Sequence, residues 1–289
     1  MVVVASSAAL ALAGCSSLGP VAGAKPLIVT GVSQWASLAR EVAGPDATVV
    51  SLLTDPNADP HEHEATVGDA AWVARATIVI ENGDGYDSWL TTLVSARPHA
   101  PVVIDAARLA SAAPGSNPHL FYKVAVATRV VRAVAAALAS TAGAAGANAR
   151  ASQVLARLGA VAATLRVMRA SCHGVGVAAT EDVAGYLLAD AGLRVETPRR
   201  FRLAVGNGVD PSVGDLAVAL DQLHLRPAFI VDNVQTATPL TEELVRQARQ
   251  LHVPVVKVTE TMTRADYGQW ISGVIAQMRR DLRLEGCLA

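Results

Sequence analysis

The chain has 289 residues, 52% of them hydrophobic, and sets 24 basic side chains against 25 acidic ones for a formal net charge of −1. That length buries a large core and leaves room for two domains. Lys and Arg never gather beyond pairs such as Arg199-Arg200 and Arg279-Arg280, so no field concentrates phosphates and nucleic acid is excluded as an expected partner.

The N-terminus reads differently from the rest. Residues 2–13 are an apolar run of the length of a signal-peptide core, too short for a membrane-spanning helix of ~20 residues. The run ends in Leu12-Ala13-Gly14-Cys15, which resembles the bacterial lipobox. Residues 1–14 are therefore expected to be a signal peptide, with Cys15 the lipidated first residue of a tether over 15–25. The competing reading is a buried N-terminal helix ending in an ordinary cysteine. No later apolar stretch is long enough to cross a bilayer, so the mature part is expected to be soluble and held to the extracytoplasmic face of the cell membrane by its lipid. Cys172 and Cys287 would lie in a compartment that tolerates disulfides. Pairing and free thiols both remain open, and no CxxC spacing points to a zinc knuckle or a redox site.

Along the mature chain, short apolar β-branched runs alternate with helical patterns. The runs are 26–32, 47–53, 76–82 and 100–107, then 174–180, 193–198, 227–233 and 253–259. Helices are expected over 33–42, 67–75, 87–96, 182–191, 212–224, 241–251 and 266–284. Near-continuous hydrophobic strands separated by helices are the pattern of parallel sheets covered on both faces. The Ala-rich stretch between the two sets predicts a helix over 123–140 and a second over 149–169, long enough at ~1.5 Å per residue to run from one lobe to the other. The expected fold class is α/β, with two lobes, each a four-stranded mainly parallel sheet flanked by helices. The N-terminal lobe takes 26–145, a stiff linking helix 146–170 and the C-terminal lobe 171–289.

The chemistry collects where strands end. Asp59-Pro60-His61-Glu62-His63-Glu64 follows the second run, and Asn117-Pro118-His119 follows the fourth. Ligand sites in open α/β sheets lie outside the carboxyl ends of the strands. In the second lobe Glu181 follows the run 174–180 and Glu260 follows 253–259. If the lobes face each other across their strand ends, two imidazoles and two carboxylates converge. That donor set suits zinc, manganese or iron, whereas calcium takes oxygen alone. The plainer readings are a solvated His-rich loop and, for each acid, a glutamate favoured by a helix N-terminus.

These residues resemble the metal-binding solute-binding proteins of bacterial ABC importers, the zinc and manganese group, and the resemblance spans the mature chain. Asp59-Pro60-His61 looks like that family's first ligand motif, and Asn117-Pro118-His119, with Phe121 and Tyr122 close behind, looks like its second. Thr180-Glu181 with Tyr186-Leu187-Leu188 matches the branch that uses Glu as the third ligand. Glu260, in Thr259-Glu260-Thr261-Met262 after Val-Pro-Val-Val, fits the fourth, and Asp232-Asn233-Val234-Gln235 resembles a segment of the same branch. The resemblance implies capture of one divalent metal ion by His61, His119, Glu181 and Glu260, and its delivery to the permease and ATPase subunits of an importer. The short, uncharged stretch 111–116 departs from the His-rich loop of many zinc-specific members. Zinc is expected first and manganese second, since zinc binds such ligands more tightly. His63 is an alternative or auxiliary ligand. Neutral imidazoles are required, so binding is expected to weaken as pH falls through ~6.5.

Other features read plainly. His99, His173, His224 and His252 stand singly and suit the surface. Trp35, Trp72, Trp89 and Trp270 fall in helical patterns and suggest lobe packing. Gly83-Asp84-Gly85-Tyr86 lacks the Lys and spacing of a phosphate loop and reads as a strand-to-helix turn. Two rival classes remain. A metal-dependent hydrolase would take Glu62 or Glu64 as its base, though no HExxH or nucleophile elbow accompanies them. A surface adhesin with an incidental metal is the other.

Overall fold

Short β-branched segments give strands that are covered on both faces. The computed structural model describes residues 25–55, 63–140, 146–262 and 266–288. Its first sheet contains β1 (Leu27–Thr30), β2 (Thr48–Ser51), β3 (Ile78–Glu81) and β4 (Val102–Asp105), in the order β2-β1-β3-β4. The second contains β5 (Gly176–Ala179), β6 (Arg194–Val195), β7 (Ile230–Asn233) and β8 (Val255–Val258), in the order β6-β5-β7-β8. All pairings are parallel. The lobes thus repeat one topology, whose strand order reverses between β1 and β3 and again between β5 and β7. A crevice opens at such a switch point.

The helices are α1 (Ser33–Ala43), α2 (Val67–Arg75), α3 (Ser88–Ser95), α4 (Ala106–Ala110), α5 (Val124–Ala139), α6 (Ala147–Cys172), α7 (Gly185–Asp190), α8 (Arg199–Gly206), α9 (Val213–Gln222), α10 (Pro239–Gln250) and α11 (Tyr267–Leu284). The sequence reading missed α4 and α8. The run 100–107 stops being a strand at Asp105, whose side chain accepts the Arg108 N–H and so starts α4. In α8 three arginines obscure a helical face that buries only Phe201 and Val205. Residues 182–184, expected in a helix, instead form a turn before α7.

Helix α6 has 26 residues, a length of about 39 Å. It buries Ala147, Ala151, Val154, Leu158, Leu165, Met168 and Cys172, spaced by threes, fours and one seven along a single face. Through them one core runs from Ile28 and Trp35 in the first lobe to Val177, Val256 and Trp270 in the second. Cys172 and Cys287 form a disulfide with Cα atoms 5.3 Å apart, tying the end of α6 to the segment after α11. Among the described residues no helix is long and apolar enough to cross a membrane. The expected signal peptide, Cys15 and His61 lie outside the described residues.

The turn from β3 to α3 supports the site. Gly83 has φ +77°, and a Cβ there would lie 2.4 Å from Asp105 Oδ1, so only glycine fits. The buried Asp87 carboxylate accepts the Asn82 and Gly83 N–H groups at 2.7 and 2.9 Å, and Asn82 Nδ2 donates to the Pro118 carbonyl at 2.8 Å. Burial pushes the Asp87 carboxyl up to about 6, against those donors. Glu81, 4% exposed, is pushed up to about 7 by burial and then by the Asp87 charge. Trp72 departs from its expected packing role: it is 37% exposed and carries Arg75 over its ring at 4.4 Å. The other three tryptophans pack as expected, and His99, His173, His224 and His252 are exposed.

Replacing both disulfide cysteines by serine should cost on the order of 3 kcal/mol, because the bridge closes a long loop in the unfolded chain. Calorimetry should then show melting roughly 5–10 °C lower; an unchanged Tm would remove the stabilising role. Glu81 gives a pH-dependent test. Its folded pKa lies above the unfolded value, so the native state holds the proton more tightly and stability falls as pH rises between about 4.5 and about 7. Glu81→Gln should therefore be near neutral at pH 4.5 and should stabilise at pH 8 by on the order of 2 kcal/mol. Equal Tm shifts at both pH values would contradict that account.

Candidate functional site

The strand ends of the two sheets face a cleft of about 960 Å³ whose walls include Tyr86, His119, Glu181, Gln235, Thr236 and Glu260. His119 comes from the loop after α4, Glu181 follows β5 and Glu260 follows β8. All three are buried, at 4%, 2% and 2% exposure. Three of the four residues expected at the site, His119, Glu181 and Glu260, thus line one cleft.

His119 is oriented by its own motif. Asn117 Oδ1 accepts the His119 backbone N–H at 3.0 Å and lies 2.8 Å from Nδ1. The Asn117 amide is fixed the right way round because its Nδ2 donates to the Asp182 carbonyl in the other lobe at 2.6 Å. An oxygen that only accepts places the proton on Nδ1, and Nε2 keeps its lone pair toward the cleft. Tyr86 and Phe121 stand edge-on to the imidazole, with ring centroids 5.8 and 5.9 Å away. Nε2 is 3.4 Å from Glu260 Oε2.

Glu260 is held by both lobes. Its Oε2 accepts from Tyr86 Oη at 3.1 Å, its Oε1 accepts from Asn233 Nδ2 at 3.0 Å, and its carbonyl accepts from Gln34 Nε2. Gln235 Oε1 accepts the backbone N–H groups of Glu260 and Thr261. Glu181 Oε1 accepts from Asn233 Nδ2 and from Thr236 Oγ1, the latter at 2.8 Å. Burial raises the Glu181 pKa; His119 opposes this when it is protonated, and the Glu260 charge adds to it. Two carboxylates and one imidazole sharing a buried cleft form a site whose charge is relieved by a cation. Among the described residues no three His, Cys, Asp or Glu side chains enclose an ion as they lie; Asn233 stands between the two carboxylates.

The alternative donor His63 does not line the cleft. Its Nε2 is 3.2 Å from Asp69 Oδ2 and its ring lies 4.4 Å from that of Trp89, beside the capping box that starts α2. Glu64 is exposed and does not line the cleft; Glu62 lies outside the described residues. The residues that sequence reasoning did not assign are Gln34, Tyr86, Asn233, Gln235 and Thr236. Asn233 and Gln235 lie in the segment 232–235 that resembles the family branch, whereas Gln34, Tyr86 and Thr236 offered only their positions in the turns and helix start that follow strands.

A family model described as zinc-uptake complex component A, periplasmic (ZnuA) matches residues 28–280. The zinc-binding protein TroA of Treponema pallidum is 36% identical over 62 residues, which are 22% of this chain and 20% of that protein, so the match spans about a fifth of the curated relative's length. Among solved structures, the periplasmic zinc-binding protein TroA from Treponema pallidum has a TM-score of 0.69 at 19% identity, over 88% of this chain and 99% of that one. The solute-binding protein FpvC of Pseudomonas aeruginosa, in complex with Ni2+, has a TM-score of 0.71 at 22% identity, over 91% and 98%. At such identities the structural likeness is one of fold. The family match takes in both sheets and the residues of the cleft from Tyr86 to Glu260, and the chain belongs to the ZnuA family of periplasmic zinc-uptake components.

Proposed function

We propose that the protein captures one divalent transition-metal ion outside the cytoplasm, zinc first and manganese second, and delivers it to the permease and ATPase of an ABC importer. The observation that carries this reading is the convergence of His119, Glu181 and Glu260, all buried, on one cleft between the lobes. The ligands would be these three with His61, which the Asp59-Pro60-His61 motif supplies. Cys15 would carry the lipid that keeps the protein at the membrane. The relatives whose names and titles mention zinc and Ni2+ agree with a divalent cargo.

The division of donors between lobes suggests how the ion is released. His119 belongs to one lobe, and Glu181 and Glu260 to the other. Across the cleft Asn117 donates to the Asp182 carbonyl, Tyr186 Oη to the Asn117 carbonyl at 2.8 Å and Tyr122 Oη to the Thr259 carbonyl at 2.8 Å. Docking that parts the lobes would break these bonds and divide the donor set. With His61 as the fourth donor the ion would have no open position for an activated water, which favours capture over hydrolysis, and Glu64, the base a hydrolase would need, does not line the cleft.

The test is metal content by mass spectrometry after equilibration of the purified protein with zinc, manganese and iron together. One equivalent of zinc or manganese is expected. In His119→Ala and Glu181→Ala affinity should fall by more than the roughly 10–100-fold cost of removing a residue behind a ligand. No stoichiometric metal in the unmutated protein, or undiminished metal in both variants, would sink the proposal.

A further inference from the structure

We infer that the outer faces of α2 and α9 are a matched pair of docking surfaces, one on each lobe, for two equivalent copies of a membrane subunit with an apolar contact surface. The inference deepens the delivery reading and rests on it.

The two helices begin alike. Thr66-Val67-Gly68-Asp69 opens α2 and Ser212-Val213-Gly214-Asp215 opens α9. In each, the cap hydroxyl accepts the aspartate backbone N–H at 3.1 Å and donates to the same aspartate's carboxylate, at 2.8 Å from Thr66 and 2.7 Å from Ser212. They also hold the same place in the fold, since α2 leads into β3 and α9 into β7, the strands that form the switch point of each sheet. A crossover helix that returns the chain to the amino end of a parallel strand starts toward the carboxyl ends. Both helices therefore begin on the edge at which the cleft opens.

Their inner sides are ordinary, with Val73 at 1% exposure and Ala219 at 2% in matching positions. Their outer sides are not. Val67 and Val213, at 89% and 86%, are the most exposed large apolar side chains among the described residues. One turn on, α2 exposes Ala71 and Trp72, and α9 exposes Ala217 and Val218. That spacing puts each set on one helical face. The neighbouring helices present the polar faces that water favours: α3 exposes Thr91, Thr92 and Ser95, and α10 exposes Glu242, Arg246 and Arg249. A single exposed valine needs no explanation, whereas an apolar stripe repeated at equivalent positions of two lobes marks an interaction site.

The duplication identifies the occupant. A second copy of this chain would pair through one self-complementary patch. A lipid surface would call for several basic residues beside the apolar ones, and Arg75 is the only Lys or Arg in either helix. A stripe carried once per lobe fits a partner that presents one surface twice. The family is one component of an uptake complex, and the membrane part of that complex has to receive the ion from the edge where both stripes begin. On the second lobe Val209, just before α9 and 61% exposed, lines the cleft itself, so docking and exit share that edge.

The test puts the photoreactive amino acid p-benzoylphenylalanine in place of Val67 or of Val213, with Arg246 as the control position, in cells making the full chain. Crosslinked proteins are then identified by mass spectrometry. Both valine positions are expected to capture the same multi-spanning permease subunit, and the control none. In parallel, Val67→Glu and Val213→Glu are read by metal content of the purified protein and by cellular uptake of the metal it binds. Content should stay at one equivalent, because neither residue lines the cleft and surface substitutions rarely disturb a fold. Uptake should fall roughly tenfold in each variant, where a charge is left unpaired against an apolar surface, and further in the double variant. Different proteins captured from the two valine positions, capture of lipid or a second copy alone, or undiminished uptake in the double variant would overturn the docking inference and leave metal capture intact. An unmutated protein holding neither zinc nor manganese would instead remove the delivery reading beneath it.

Discussion

A carboxylate held at 2% exposure needs hydrogen-bond donors or a cation to offset its lost hydration, and the way Glu260 obtains them sets the relation between the lobes. Its own lobe supplies Asn233 to Oε1 and Gln235 to its backbone N–H; the other lobe supplies Tyr86 to Oε2 and Gln34 to its carbonyl. Neither lobe alone satisfies the group. The closed arrangement is therefore favoured by the same residue that the proposed function makes a ligand. Removing one partner of such a buried charge costs more than the pair contributes in place, which makes the lobe interface sensitive to Tyr86 and Gln34 as well as to the acid.

The support behind His119 follows the same logic one layer out. Gly83 turns the chain where a side chain would strike Asp105, Asp87 collects the N–H groups that the turn exposes, and Asn82 is left free to hold the Pro118 carbonyl. The cost is a pair of buried carboxyls, Glu81 and Asp87, both pushed above the usual carboxylate range by burial. A turn that positions the imidazole is thus made at some expense of stability at neutral pH. Buried groups with raised pKa values are common close to functional sites, and here one of them acts through position.

Much of the fold was legible because parallel strands buried on both faces must be apolar throughout, a pattern that survives without any alignment. Glu181 and Glu260 were legible because each closely follows such a run, and His119 because of its Asn117-Pro118-His119 motif. What escaped notice did so for physical reasons. Helix α8 buries Phe201 and Val205 among arginines whose charges hide the period. Trp72 reads as core by type, yet its ring lies under an arginine at the surface. Asn233 carries no charge and matches no ligand type; its role comes from the strand pairing that sets β7 beside β5, a contact between residues over fifty apart. The Cys172–Cys287 pairing likewise needed α6 and α11 to be packed together before the distance had meaning.

The stiffness of the link and the proposed release of an ion are compatible once distances are considered. Helix α6, the continuous core and the disulfide resist a wide swing of one lobe about the other. A wide swing is not required. The interlobe hydrogen bonds from Tyr122, Tyr186 and Asn117 are 2.8, 2.8 and 2.6 Å long, and separation by about 1 Å takes such bonds to the edge of useful geometry. Metal to ligand distances tolerate still less, about 0.2 Å. A small shear along the cleft would therefore move His119 away from Glu181 and Glu260 far enough to lose an ion, while the core on the far side of α6 stays packed. The closed form is held by short polar contacts at the cleft and by apolar packing behind it, and only the first set has to give way.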